Sequence, residues 1–265
     1  MVGIQLATVL PGAVPFKEGN VNDTFRGQIL LADGEVKSAI LKDLEPKQLC
    51  NELLGSTLAN ATGLPTPDAF LAVVRAGDLS VAKGPVLADG NRIVFASADV
   101  KVPNVTHRLT QAPATDLHIS LKDLIEWDRL GELYAFDAWI ANVDRHPGNL
   151  LLGQKNEVWL IDHGYCFSGP NWQSDELNPD AQYRNRLGEW LTRWLTASEK
   201  QQRAAEAAAF SGPIAQIDIA AWSEASRIEQ FLAPTEVTAA ANFLSLRVAA
   251  VPREASRALD VPRLL

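Results

Sequence analysis

The chain has 265 residues, 47% of them hydrophobic and 21% charged, with a formal net charge of −8. That length suffices for one large domain or two lobes sharing a cleft. So acidic a balance argues against nucleic acid or an anionic membrane as a partner, since both need a basic surface, and no apolar run reaches the ~20 residues of a membrane span.

The two cysteines, Cys50 and Cys166, lie outside any CxxC or His-rich context, so they read as buried thiols rather than a disulfide, a zinc site or a redox pair. The first residues carry no basic stretch and an early proline, Pro11. That is a poor match to a secretory signal, and a cytoplasmic location is expected.

Residues 1–48 are β-rich. Two apolar runs, 26–31 and 36–41, flank Asp33-Gly34, a strong hairpin signal. Before them lies KEGNVNDT at 17–24, which reads either as a loop covering a phosphate with its backbone N–H groups or as an ordinary surface loop. A helix is predicted over 46–62. Pro46 suits its first turn, Leu49, Leu53, Leu54, Leu58 and Ala61 recur at helical spacing, and Gly63 ends it.

The LPTP that follows cannot continue a helix, because its prolines lack the N–H groups. Strands are predicted over 68–74 and 92–96, separated by a glycine-rich loop at 77–90. Residues 97–118 read as an irregular, hinge-like connection. Residues 121–141 read as one broad-faced, buried helix. Asp137 within it must find partners once buried, and reads as a brace for the following loop. Further helices are predicted over 187–210, 217–232 and 234–250, with a loosely held tail after Pro252.

The most informative stretch is 135–167, AFDAWIANVDRHPGNLLLGQKNEVWLIDHGYCF. A hairpin built on LLL and VWLI would bring Asn149 and Asp162 to one edge, with Asp144 as a further carboxylate nearby. Oxygen donors so grouped suit a hard divalent cation.

Asp144-Arg145-His146-x-x-Asn149, followed by Asp162-His163-Gly164, resembles the catalytic and metal-binding loops of the protein-kinase-like superfamily. The DRHxxN form is most similar to the phosphatidylinositol 3-/4-kinase and HipA-like branches, and the whole run to bacterial HipA-family kinases. AILK, ending at Lys42, resembles the strand that carries the ATP-phosphate lysine. CNELLGSTLANATGLPTP resembles the following helix, with Glu52 as its glutamate. The resemblance spans about residues 20–170.

It implies an α+β, bilobal protein-kinase-like fold: a β-rich N-lobe over 1–97, an antiparallel sheet plus one helix, and a mostly helical C-lobe over 98–265. It implies an ATP- and Mg²⁺-dependent kinase that moves the γ-phosphoryl group to a hydroxyl acceptor, foremost a protein Ser/Thr. Asp144 would be the base, Asn149 and Asp162 the metal ligands, and Lys42, held by Glu52, the α/β-phosphate contact. His146 would either touch the transferred group or stay structural, and Arg145 would brace the loop. Adenine would pack under the N-lobe sheet near Phe95 and Ser97.

The chain departs from the wider superfamily in three places. It has no G-x-G-x-x-G-x-V loop, it carries D-H-G where D-F-G is usual, and it lacks A-P-E. Two other readings stand beside a protein kinase. One is a kinase for a small alcohol or lipid head group. The other is a nucleotide-binding pseudokinase acting as an interaction module, against which Asp144 argues because a pure binder has no need of a base.

Overall fold

A computed structural model describes residues 3–16, 22–113, 116–154 and 156–262. The candidate phosphate cover at 17–24 therefore falls largely outside the described residues. The N-terminal part is built from β1 (Gln5–Val9), β2 (Val14–Pro15), β3 (Thr24–Leu31), β4 (Val36–Lys42), β5 (Ala69–Val74) and β6 (Arg92–Ala98). They form one sheet in the order β1-β5-β6-β4-β3-β2, and β1 pairs with β3 as well, so the sheet closes on itself. The predicted hairpin is present, with Gly34 at φ +89°, a left-handed turn position that suits glycine.

One feature departs from an antiparallel sheet: β1 and β5 run parallel, Leu6 in register with Leu71. Antiparallel pairing of β1 with β3 on its other side completes the closure, Ala7 opposite Leu31. Strand alternation then sends Ile29, Ala39, Leu41, Val94 and Ala96 inward, where they form a small core of their own.

Helix α1 (Pro46–Ala61) joins β4 to β5. Its residues from Gln48 to Ala59 are all buried, the polar Gln48, Asn51 and Glu52 included. A helix buried on every side is wedged between two bodies: here the strands on one side and the helices that follow on the other. Leu53, Leu54 and Leu58 join Phe95, Tyr134 and Phe136 in the main core.

The connection expected to be irregular at 97–118 contains α2 (Val105–Gln111), started by Asn104, whose side chain accepts from the His107 amide at 2.8 Å. The single helix expected over 121–141 is two: α3 (Leu117–Ile125) and α4 (Leu130–Trp139). The break buries Trp127 and lets Arg129 reach the C-terminal end of α1, where it donates to Thr62 O at 3.1 Å. α4 is buried on nearly every side, nine of its ten residues, so it has no single apolar face whose shift would mark the break.

A short hairpin follows, β7 (Leu150–Leu152) and β8 (Val158–Leu160), with Leu150 opposite Leu160. The chain continues through an irregular segment to α5 (Arg186–Leu191), α6 (Ala197–Ala215), α7 (Ile219–Ser226), α8 (Pro234–Arg247) and α9 (Val251–Ala258). The helix expected over 187–210 is divided, because Thr196 and Glu199 form a capping box that starts α6 afresh. The tail after Pro252 is not loose as far as residue 260: α9 packs on α4 and α6, and Leu259 is fully buried. Both cysteines are free and buried, as expected. No helix among the described residues is long and apolar enough to cross a membrane.

Candidate active site

Lys42 ends β4 and Glu52 lies one and a half turns into α1. Their side chains meet, Nζ to Oε1, at 2.6 Å. The same ammonium lies 3.2 Å from Asp162 Oδ1. Glu52 is 1% exposed, and burial on that scale costs several kcal/mol for an unpaired carboxylate, so the ion pair is a condition of its position. Its other oxygen accepts from the backbone N–H of His163 at 2.7 Å. One carboxylate thus ties the strand's lysine to the loop that carries Asp162.

The charges are arranged accordingly. Burial pushes the Glu52 carboxyl up to about 7, with the Lys42 ammonium pulling the other way. Burial works most strongly against ionised Asp162, but the Lys42 ammonium and the hydrogen bonds to that carboxyl together outweigh burial and hold it down at about 2. Lys42 is itself desolvated, yet its two carboxylate neighbours raise it above the ordinary lysine range. The cation is therefore permanent, and Asp162 is the carboxylate kept ionised.

The loop after α4 carries the rest. Backbone bonds from Val143 N to Tyr165 O (3.2 Å), Phe167 N to Ile140 O (2.8 Å) and Ser168 N to Ala141 O (3.1 Å) lay it beside the loop after β8. Arg145, wholly buried, locks the two together. It pairs with Asp137 (Nη2 to Oδ1, 3.0 Å) and donates to Asn149 O (3.1 Å) and Ile161 O (2.6 Å). Asn142 adds a bond to Asp137 at 3.0 Å and accepts from the Asp144 amide at 3.0 Å. The brace roles expected of Asp137 and Arg145 match these contacts.

Asn149 and Asp162 sit at the open end of the hairpin, where Ile161 N donates to Asn149 O at 3.2 Å. The Asn149 amide nitrogen donates to Asp144 O at 2.8 Å, which leaves its oxygen as the end available to a cation. Asp162 adopts φ +60°, a left-handed conformation that costs a non-glycine residue about 1 kcal/mol or more. It persists because both neighbours are pinned, Ile161 by Arg145 and His163 by Glu52.

Among the described residues no group of three or more His, Cys, Asp or Glu could hold a metal. The donors here are one carboxylate and one carboxamide. That set fits Mg²⁺, which keeps water and substrate phosphates as most of its ligands rather than taking an all-protein cage.

His146 accepts from Gly148 N through Nδ1 at 3.0 Å, so Nε2 carries the proton of the neutral ring. Burial lowers its pKa despite the nearby Asp144 carboxylate, which keeps it a neutral donor. Its Nε2 is 3.9 Å from Asp144 Oδ2. Phe95 is buried in the main core, its ring centre 5.9 Å from Lys42 Nζ. Ser97 is half-buried and has ladder partners on both sides, Ile40 and Ala69, so strand pairing already surrounds it.

Three residues of the site had no sequence signal that singled them out. Asn51 gathers the loop after Asp162: its nitrogen donates to Gly164 O (3.0 Å) and Gly169 O (3.2 Å), and its oxygen accepts from Trp172 Nε1 (3.0 Å). Arg186 makes an ion pair with the Asp144 carboxylate, and Trp190 donates from Nε1 to Arg145 O at 2.9 Å. Both come from α5, more than 40 residues along the chain.

The sequence profile of a family described as HipA-like kinase matches residues 32–246. Among solved structures, the chain is similar to the crystal structure of a Helicobacter pylori proinflammatory kinase, CtkA. The TM-score is 0.50 at 14% identity, over 95% of this chain and 97% of that one, a likeness of fold alone. No curated protein sequence matches.

Proposed function

The chain belongs to the HipA-like kinase family, and from that premise we propose that it transfers the γ-phosphoryl group of Mg·ATP to a hydroxyl acceptor, a protein Ser or Thr. The observation that carries this reading is the convergence on Lys42: its ammonium reaches Glu52 at 2.6 Å and Asp162 at 3.2 Å, and Asp162 shares a hairpin end with Asn149. In this reading residues 1–97 form an N-lobe and 98–265 a C-lobe of a bilobal kinase, with the nucleotide between them.

Phosphoryl transfer asks a protein for position and charge more than for covalent chemistry. Lys42 holds the α/β-phosphates, and Glu52 fixes where its ammonium stands. Asn149 and Asp162 would hold Mg²⁺, which when bound would neutralise phosphate charge. Asp144 orients the acceptor hydroxyl and takes its proton. His146, a neutral N–H donor, faces the same space and can donate to an oxygen of the transferred group. The adenine lies beside Phe95 and Ser97 and meets backbone beyond Ser97, because Ser97 itself is taken up in the ladder.

The test is incubation of the purified protein with γ-labelled ATP and Mg²⁺, alone and with cell extract, followed by identification of what is labelled. Label on Ser or Thr of a protein is the expected result. Label on a small molecule or lipid moves the acceptor class, and ATP binding without any labelling replaces the kinase reading with a pseudokinase.

A further inference from the structure

We propose that Arg186 is a positioning residue for phosphoryl transfer: it takes one oxygen of Asp144 so that the other is the sole proton acceptor. This rests on the reading of Asp144 as the base. The guanidinium Nη1 contacts Asp144 Oδ1. Oδ2 lies 3.9 Å from His146 Nε2, beyond hydrogen-bond length, and so remains open to an incoming hydroxyl. A guanidinium donates and never accepts, so Arg186 can hold the carboxylate without competing for the proton that Asp144 must take.

The helix that presents Arg186 is seated for this task. Trp190, four residues on and therefore on the same face, donates to the Arg145 carbonyl at 2.9 Å, so α5 grips both the side chain and the backbone of the Asp144 loop. Leu187 and Leu191 are fully buried beneath it. Gly188 presses on α9 so closely that a Cβ there would stand 2.5 Å from Ala258 O. The Arg186 side chain itself is 40% exposed, and an ion pair that open contributes little to folding. What it sets is the rotamer of Asp144. In the transfer the acceptor O–H proton passes to Oδ2 while the acceptor oxygen bonds to the γ-phosphorus. The bond from that phosphorus to the bridging oxygen breaks, and ADP leaves with its electron pair.

Arg186→Ala, Arg186→Lys and, as a control, Arg193→Ala are compared with wild type in transfer assays, nucleotide titrations and thermal melts. For Arg186→Ala, kcat falls about 10- to 100-fold, the loss expected when a reacting group is misplaced by about 1 Å. KM for ATP and the melting temperature stay near wild type. Arg186→Lys recovers part of kcat, and added guanidinium ion recovers part of it in Arg186→Ala. Arg193→Ala transfers like wild type. Equal kcat in wild type and Arg186→Ala overturns this inference alone. So does a loss matched by a lower melting temperature and unmoved by lysine or guanidinium, because that marks a structural brace. No transfer by wild type overturns the kinase reading and this inference together.

Discussion

The carboxylate of Glu52 receives the Lys42 ammonium at 2.6 Å with one oxygen and the His163 amide at 2.7 Å with the other. The position of α1 therefore decides at once where the lysine stands and whether Asp162 holds its left-handed backbone.

That double role gives a pH signature. Burial raises the Glu52 carboxyl to about 7 from the ordinary glutamate range. Between roughly pH 4.5 and 7 the native state then keeps a proton that the unfolded chain releases, so this group's contribution to stability is present at the acid end and is lost as pH rises through 7. Transfer needs the ionised form that holds Lys42, so activity rises over the same interval. Melting temperatures and kcat/KM measured from pH 5.5 to 8.5 should move in opposite directions, and Glu52→Gln should flatten both trends. Parallel trends in wild type and Glu52→Gln would remove Glu52 as their source.

Asp144→Ala and Asp162→Ala should fail differently. Without Asp144, transfer falls by at least about 10²-fold, the usual contribution of a general base, while Mg·ATP binding stays near wild type. Without Asp162, binding of Mg·ATP weakens as well, and the gain in affinity on adding Mg²⁺ disappears. Nucleotide titrations with and without Mg²⁺ separate the two. Identical titrations for both variants would undo the division into base and metal ligand.

Gly55 tests how closely α1 must approach the loop after β8. A Cβ at that position would lie 2.4 Å from His163 Cβ, well inside van der Waals contact. Gly55→Ala should cost about 1–3 kcal/mol by overpacking and should lower activity by moving the His163 amide off Glu52. Chemical denaturation measures the first effect and the transfer assay the second.

Asn51→Ala should destabilise the fold by about 1–3 kcal/mol, because Trp172 Nε1 and the Gly164 and Gly169 carbonyls lose their partner in a buried setting. Amide hydrogen exchange in residues 164–172 should accelerate more than in α6. Uniform exchange across both regions would mean that Asn51 does not hold this segment.

Much of the fold is legible in the local sequence. The 26–31 and 36–41 hairpin, the 46–62 helix and the short hairpin after Asn149 are set by local alternation, turn residues and caps, and each lies within a residue or two of its expected place. Discontinuity and distance are not legible in the same way. α4 is apolar on nearly every side, so the break before it shows as no interruption of a stripe. The Thr196-x-x-Glu199 box that starts α6 is a local signal lying inside a run that otherwise reads as one helix. The last helix, α9, carries local signals of its own, Glu254 in its first turn and Arg257 in its last, and packs on α4 and α6.

By itself, then, the sequence determined the inventory: a lysine closing a strand, a glutamate in the next helix, and Asp144, Asn149 and Asp162 around a hairpin. Those assignments follow from residue type and short spacing, which the chain carries locally. Only the tertiary structure decided the pairings: that Glu52 splits its two oxygens between Lys42 and His163, that Asn51 holds the loop beyond Asp162, and that Arg186 rests on Asp144. Each joins groups from separate elements, 10 to 121 residues apart in the chain. Such contacts form only because burial of apolar faces brings those elements together, and the hydrogen-bonding and charge requirements of the groups trapped between them select the partners.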